Sequence, residues 1–142
     1  MSETLNDTLS VARGPSRPRS FSQPFWQATR DRKLLLQYCP RSARFQFFPR
    51  ATSIADGRRG LEWREVSGRG EIFSYTVVRR SRPPFQGNEP FLLAVVTLEE
   101  GVNIMADLVN CRLDAARIGL AVMPFWAPLP DGANLPLFQP AV

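Results

Sequence analysis

From Leu61 to Leu129 the chain reads as one short strand after another with almost no helical periodicity between them, and this rhythm restricts the fold more than any other feature. "LEWREV" alternates polar and apolar residues, and "GEIFSYTVVRR" is long and rich in aromatic and β-branched side chains. "PFLLAVVTLEE" follows the proline-bearing loop "RPPFQGNEP", and "VNIMADLVNC" lies just past Glu100-Gly101, an acidic-glycine pair of the kind that turns a hairpin. "RLDAARIGL" reads as a short bridge, and "AVMPFWAPL" as a last strand that Pro124 pushes toward an edge or a bulge. Strands in this number, with a glycine before one of them and little helix between, predict a small closed Greek-key barrel of the OB type, with an open sandwich as the alternative.

The upstream part is built differently. Residues 1–20 carry "RGPSRPRS" and no apolar periodicity, which predicts a disordered basic arm. In "SQPFWQATRDRKLLLQYC", Ser22 is placed to cap a helix over about residues 24–31, with Pro24 in its first turn, where a missing amide is no loss. "KLLLQYC" and "RFQFF" then form a hairpin whose tip is Pro40 to Ala43, and "RATSIADGRRG" is turn and loop. The expected division is an arm over 1–20, a helix with a hairpin over 21–60, and the barrel over 61–142.

Composition narrows the function. A chain of 142 residues buries enough surface to hold a core without a staple. There is no histidine, which removes the commonest general base, the commonest metal ligand and the usual partner of a serine or cysteine nucleophile. Cys39 and Cys111 lie far apart, and no apolar run resembles a signal peptide, so free thiols in a reducing cytoplasm are expected. No segment approaches the roughly 20 apolar residues that span a bilayer, so no membrane contact is expected. Charge is lopsided: from Arg13 to Arg82 there are 16 basic and 5 acidic residues, against 2 basic and 6 acidic from Pro83 to the end. Such a field suits a polyanion or an acidic protein surface, or serves only solubility.

Six stretches in order, "FWQATRDRKLLLQYC", "FFPR", "EWREVSGRGEIFSYTVV", "LEEGVNIMADLVNC", "IGLAV" and "LPLFQP", resemble a bacterial and archaeal family of the domain-of-unknown-function type. Its members join an N-terminal helix and a rubredoxin-like zinc ribbon to an OB fold, and assemble with thiolases, thiolase-like acyltransferases and other acyl-CoA enzymes. The likeness covers about residues 22–140. It implies a mainly β protein: a helix and ribbon hairpin followed by a five-stranded OB barrel. The family's ribbon carries two cysteine pairs, and the matching positions here are Cys39, Ser42, Ser53 and Asp56. Serine hydroxyls are neither acidic nor soft enough to replace thiolates around zinc, so the ribbon is expected to be degenerate and metal-free. Losing a structural zinc removes about 10 kcal/mol or more of folding free energy in isolated zinc peptides. Phe45, Phe47 and Phe48, with Tyr38 and Leu35, are expected to offset it by packing the hairpin on the barrel or on a partner.

The role implied is a non-catalytic accessory or scaffold subunit of a thiolase-like acyltransferase or related acyl-CoA enzyme, with acyl-CoA as a possible ligand. Phe25, Trp26, Phe47 and Phe48 are the candidate partner anchors; Phe25 and Trp26 serve equally as a staple for the helix. Arg69, Arg79 and Arg80 are the candidates for coenzyme A phosphates, since guanidinium groups suit bidentate phosphate contact. Against that stand two simpler readings: Gly68 and Gly70 permit the start of a bent strand, and Arg79, Arg80 and Arg82 are solvated charge. A single-stranded nucleic-acid module is the alternative function, with Phe73 and Tyr75 as stacking residues, although only overall basicity favours it. Cys111 has no base to activate it, and Asp107, Glu99 and Glu100 show no acid-base pairing. The tail "NLPLFQPAV" is expected to cover the barrel end or to add to a partner's surface.

Overall fold

The strands do close on themselves. The computed structural model describes residues 8–141. It contains one helix, α1 (Gln23–Thr29), and eight strands: β1 (Leu34–Cys39), β2 (Arg44–Gln46), β3 (Glu62–Val66), β4 (Gly70–Val78), β5 (Phe91–Leu98), β6 (Asn103–Leu108), β7 (Ala121–Pro128) and β8 (Asn134–Pro140). The last five form a closed barrel in the order β4-β5-β6-β8-β7, the OB arrangement, and the first three form a separate sheet, β2-β1-β3.

Two strands change places relative to the sequence reading. "LEWREV", expected in the barrel, is β3 and pairs antiparallel with β1 from Leu34↔Val66 to Tyr38↔Glu62. The apolar β1 is buried at four of its six positions and needs a neighbour on each side, which the three-residue β2 supplies over only half its length. The fifth barrel strand is instead "NLPLFQP", the expected covering tail. β8 pairs antiparallel with β7 along its whole length and meets β6 at one parallel pair, Leu108↔Phe138. With so little ladder on the β6 side, Pro136 and Pro140 leave few amides missed. The barrel therefore starts at Gly70 rather than Leu61.

Two glycines shape that start. Gly68 has φ +77°, and a Cβ there would run into the Pro124 ring of β7. At Gly70 a Cβ would strike the Thr97 carbonyl of β5. The "SGRG" glycines therefore let β4 cross its neighbours closely.

The arm is not free where it is described. Thr8, 1% exposed, donates to Asp107 Oδ2 at 2.7 Å, and Arg13 pairs with the same carboxylate at 3.1 Å. The Ser16 hydroxyl donates to Asp131 further along. Residues 8–16, part of the arm expected to be disordered, are thus held by polar contacts that hydropathy does not register; residues 1–7 lie outside the described residues. Ser22 also departs from expectation: its Oγ accepts from the Arg19 amide at 2.9 Å and makes no cap bond to α1. The helix is secured at its other end. Thr29, fully buried, receives the Asn134 amide on Oγ at 3.2 Å, and the Asn134 side chain donates to its carbonyl at 2.8 Å. Phe25, Leu34, Leu36 and Val66 share one buried cluster with Ile72, Val96, Val122 and Phe138 of the barrel.

Candidate functional site: an aromatic cleft

Where α1 meets the barrel, an apolar cavity of about 250 Å³ opens between Phe25, Trp26, Phe47, Phe48, Met105 and Pro136. Phe25 and Trp26 stand edge to face at 5.0 Å, Phe47 lies 5.9 Å from Phe25, and Phe48 follows at 4.5 Å from Phe47. The four residues expected as partner anchors thus come together. They are not equivalent, however: Phe25 is 4% exposed and belongs to the wall, whereas Phe48 is 61% and Met105 63% exposed on the rim. No ionisable side chain lines the cleft. Its chemistry is burial of an apolar group, not acid-base work.

The packing expected of the hairpin aromatics is divided. Phe45 and Phe47 lie against the main core, and Tyr38 meets Phe45 at 4.9 Å with the rings tilted, while Phe48 points outward. Two buried glutamines, overlooked in the sequence, fasten the loop after β2. Gln37 donates to the Arg50 carbonyl at 2.7 Å and accepts the Arg50 amide at 2.8 Å. Gln46 donates to Gln37 at 3.0 Å and accepts the Ile54 amide at 2.9 Å. The signal available in advance was a glutamine in each of two apolar hairpin strands at facing register, Gln37↔Gln46.

Cys39, Ser42 and Ser53 line one cavity of about 120 Å³ at the hairpin tip. Asp56, the fourth position, is held by Arg41: Nε donates to Oδ2 at 2.6 Å and a second nitrogen to Oδ1 at 3.2 Å. That guanidinium, aided by the Arg58 amide, lowers the Asp56 carboxyl to about 2. Ser42 Oγ is buried with no partner at hydrogen-bond geometry. Its nearness to the sulfur, with that of Ser53, draws the Cys39 thiol down to about 7 against the opposing effect of burial. One thiol, two hydroxyls and a carboxylate engaged by arginine do not fit a zinc ion. Among the described residues no cluster of three or more Cys, Asp or Glu side chains is arranged for a metal.

The candidate phosphate arginines are not brought together. Arg69 lines a groove of about 700 Å³ with Glu71 and Glu99, whose charges disfavour an anion. Arg79 and Arg80 stand beyond the other end of β4, roughly 30 Å away at ~3.3 Å per residue. Both cysteines are buried, and Cys111 belongs to the main core cluster, so it is a core thiol. No helix among the described residues is long and apolar enough to cross a membrane.

Comparison with known proteins agrees with this architecture. Residues 63–126 match the C-terminal OB-fold domain of ChsH2. A DUF35 domain-containing scaffold protein of Methanocaldococcus jannaschii is 28% identical over 99 residues, covering 68% of this chain and 70% of the relative. The solved structure of an Ltp2-ChsH2(DUF35) aldolase superimposes with a TM-score of 0.77 at 26% identity, covering 89% of this chain and 98% of that one. Over its helix, small sheet and barrel the chain is similar to DUF35 OB-fold proteins. A further relative, a probable enoyl-CoA hydratase alpha subunit of Thermomonospora curvata, is 31% identical over 120 residues, or 83% of this chain. The chain spans only 37% of that subunit's length.

Proposed function

We propose that the chain is a non-catalytic accessory subunit of an acyl-CoA enzyme in a reducing cytoplasm, that its partner is thiolase-like, and that it docks through the aromatic cleft. The observation that carries this reading is the convergence of Trp26, Phe47 and Phe48 on an apolar cleft with no ionisable lining, a site able to bind but not to transform. Relatives named as scaffold proteins, and one named with an aldolase, support the accessory role. The corner at Cys39 holds no zinc in this reading, and the glutamine lattice with the Arg41–Asp56 pair does the metal's structural work. Any contact with the acyl-CoA phosphates involves Arg69 or the Arg79-Arg80 pair, not both at once.

The test is co-expression with a thiolase-like subunit from the same genome. The pair is expected to co-elute, and Phe48→Ala to weaken association at least tenfold with little effect on folding, because Phe48 is exposed. Acyl thioester turnover by the chain alone, or stoichiometric zinc in the purified protein, would overturn the proposal. A second reading has one observation in its favour: Phe73 and Tyr75 are both exposed on β4, where an OB fold could stack bases. Salt-dependent retention of an oligonucleotide would favour it over the first.

A further inference from the structure

β4 breaks the ordinary pattern of a half-buried strand. Successive side chains on a barrel strand should alternate between core and solvent, yet Phe73, Ser74, Tyr75 and Thr76 are exposed in succession. A register shift between Ile72 and Ser74 starts this stretch. One edge of β4 pairs with β5 throughout, from Gly70↔Leu98 to Val78↔Phe91. On the other edge β7 takes only Gly70 and Glu71, and the loop before β7 takes Ile72, whose amide donates to the Leu120 carbonyl at 3.0 Å and whose carbonyl accepts from Gly119 at 2.8 Å. From Phe73 to Val78, among the described residues, no strand pairs with that second edge. An open edge carrying exposed aromatic side chains is what proteins ordinarily cover, charge or shorten.

The surroundings select its occupant. Arg80 and Arg82 are exposed just beyond the end of the open edge, and Arg117 is exposed two residues before the Gly119 that closes its start. Glu71 is the acidic side chain on the strand itself, and Glu89, past the loop, is occupied by the Ser81 amide at 2.8 Å. A second copy, itself net positive, would bring like charges together at such an edge. We propose that the Phe73–Val78 edge of β4 is a strand-addition site for an extended, acidic segment of a partner protein. Its backbone extends the barrel sheet, its apolar side chains lie against Phe73 and Tyr75, and its carboxylates meet Arg80, Arg82 and Arg117. This deepens the accessory reading by adding a second contact, on an element separate from the aromatic cleft.

Backbone amide exchange on the whole chain tests it, with a short capped peptide alternating glutamate and valine as the probe and its lysine-valine counterpart as control. The expected result is that the glutamate peptide slows exchange of the outward-facing amides between Phe73 and Val78 at least tenfold. The lysine peptide leaves them unchanged, and Arg80→Glu with Arg82→Glu reverses the preference. Equal protection by both peptides, protection by neither, protection by oligothymidylate instead, or a free chain already protected there as a dimer would each overturn the proposal. These outcomes separate from those of the accessory reading: that reading fails if Phe48→Ala leaves co-elution intact, whereas this one fails on the β4 amides whatever Phe48 does.

Discussion

Cys39 shows how two neighbouring hydroxyls can tune a buried thiol. Buried and flanked by Ser42 and Ser53, its thiol is lowered from an ordinary 9.0 to about 7. The measurable consequence is a rise in thiolate absorbance with a midpoint near 7, abolished by Cys39→Ser and kept by Cys111→Ser. Stability follows with a definite sign. Folding favours the thiolate, so this contribution is complete above 9.0, fades as pH falls through about 7, and is absent below. Single-residue identities were readable in the sequence: Cys39, Ser42, Ser53 and Asp56 do sit around the hairpin tip. What they contact was not, because the Arg41 partner of Asp56 lies 15 positions away and no periodicity marks it.

At the scale of elements, the hairpin unit is held by side chains that look misplaced on a hydropathy plot. Gln37 bridges β1 to β2 and to the Arg50 backbone from a nearly inaccessible position. Replacing it with leucine would leave the Arg50 amide and carbonyl and the Gln46 amide group without those partners. The expected loss is about 1–3 kcal/mol in equilibrium denaturation, read from the unfolding midpoint. Most strands were legible because β-branched and aromatic runs, bounded by turn signals such as Glu100-Gly101, announce them; Gly101, with φ +87°, turns β5 into β6 as its sequence suggested. Allocation was not legible. β3 alternates as a barrel strand would, and nothing local tells it to join β1; β8 carries two prolines and looks like a tail until β7 is seen pairing with it.

For the whole molecule, the helix, the small sheet and the barrel share one buried core. Their common cluster runs from Phe25 and Leu34 to Phe138, and Asn134 of β8 completes the polar contacts of Thr29. Removing residues 1–60 would strip β3 of its neighbour and bare the barrel end beneath Phe25 and Leu36. That truncated chain is expected to lose its cooperative thermal transition and to bind a hydrophobic dye, whereas the intact chain shows one transition for both parts. Two separate transitions, one for the helix and small sheet and one for the barrel, would contradict a common core. The candidate cleft shares this origin. The aromatic residues were visible in advance, but their meeting depends on β6 and β8 passing beneath the helix, a juxtaposition of segments some 80 to 110 positions apart that only the closed fold creates.

The shared cluster also sets terms for how such a domain travels between larger polypeptides. A splice at the strand-rich half alone would carry away a barrel with an uncovered floor, so a viable graft has to begin ahead of Phe25 and bring helix, small sheet and barrel along as a single heritable piece.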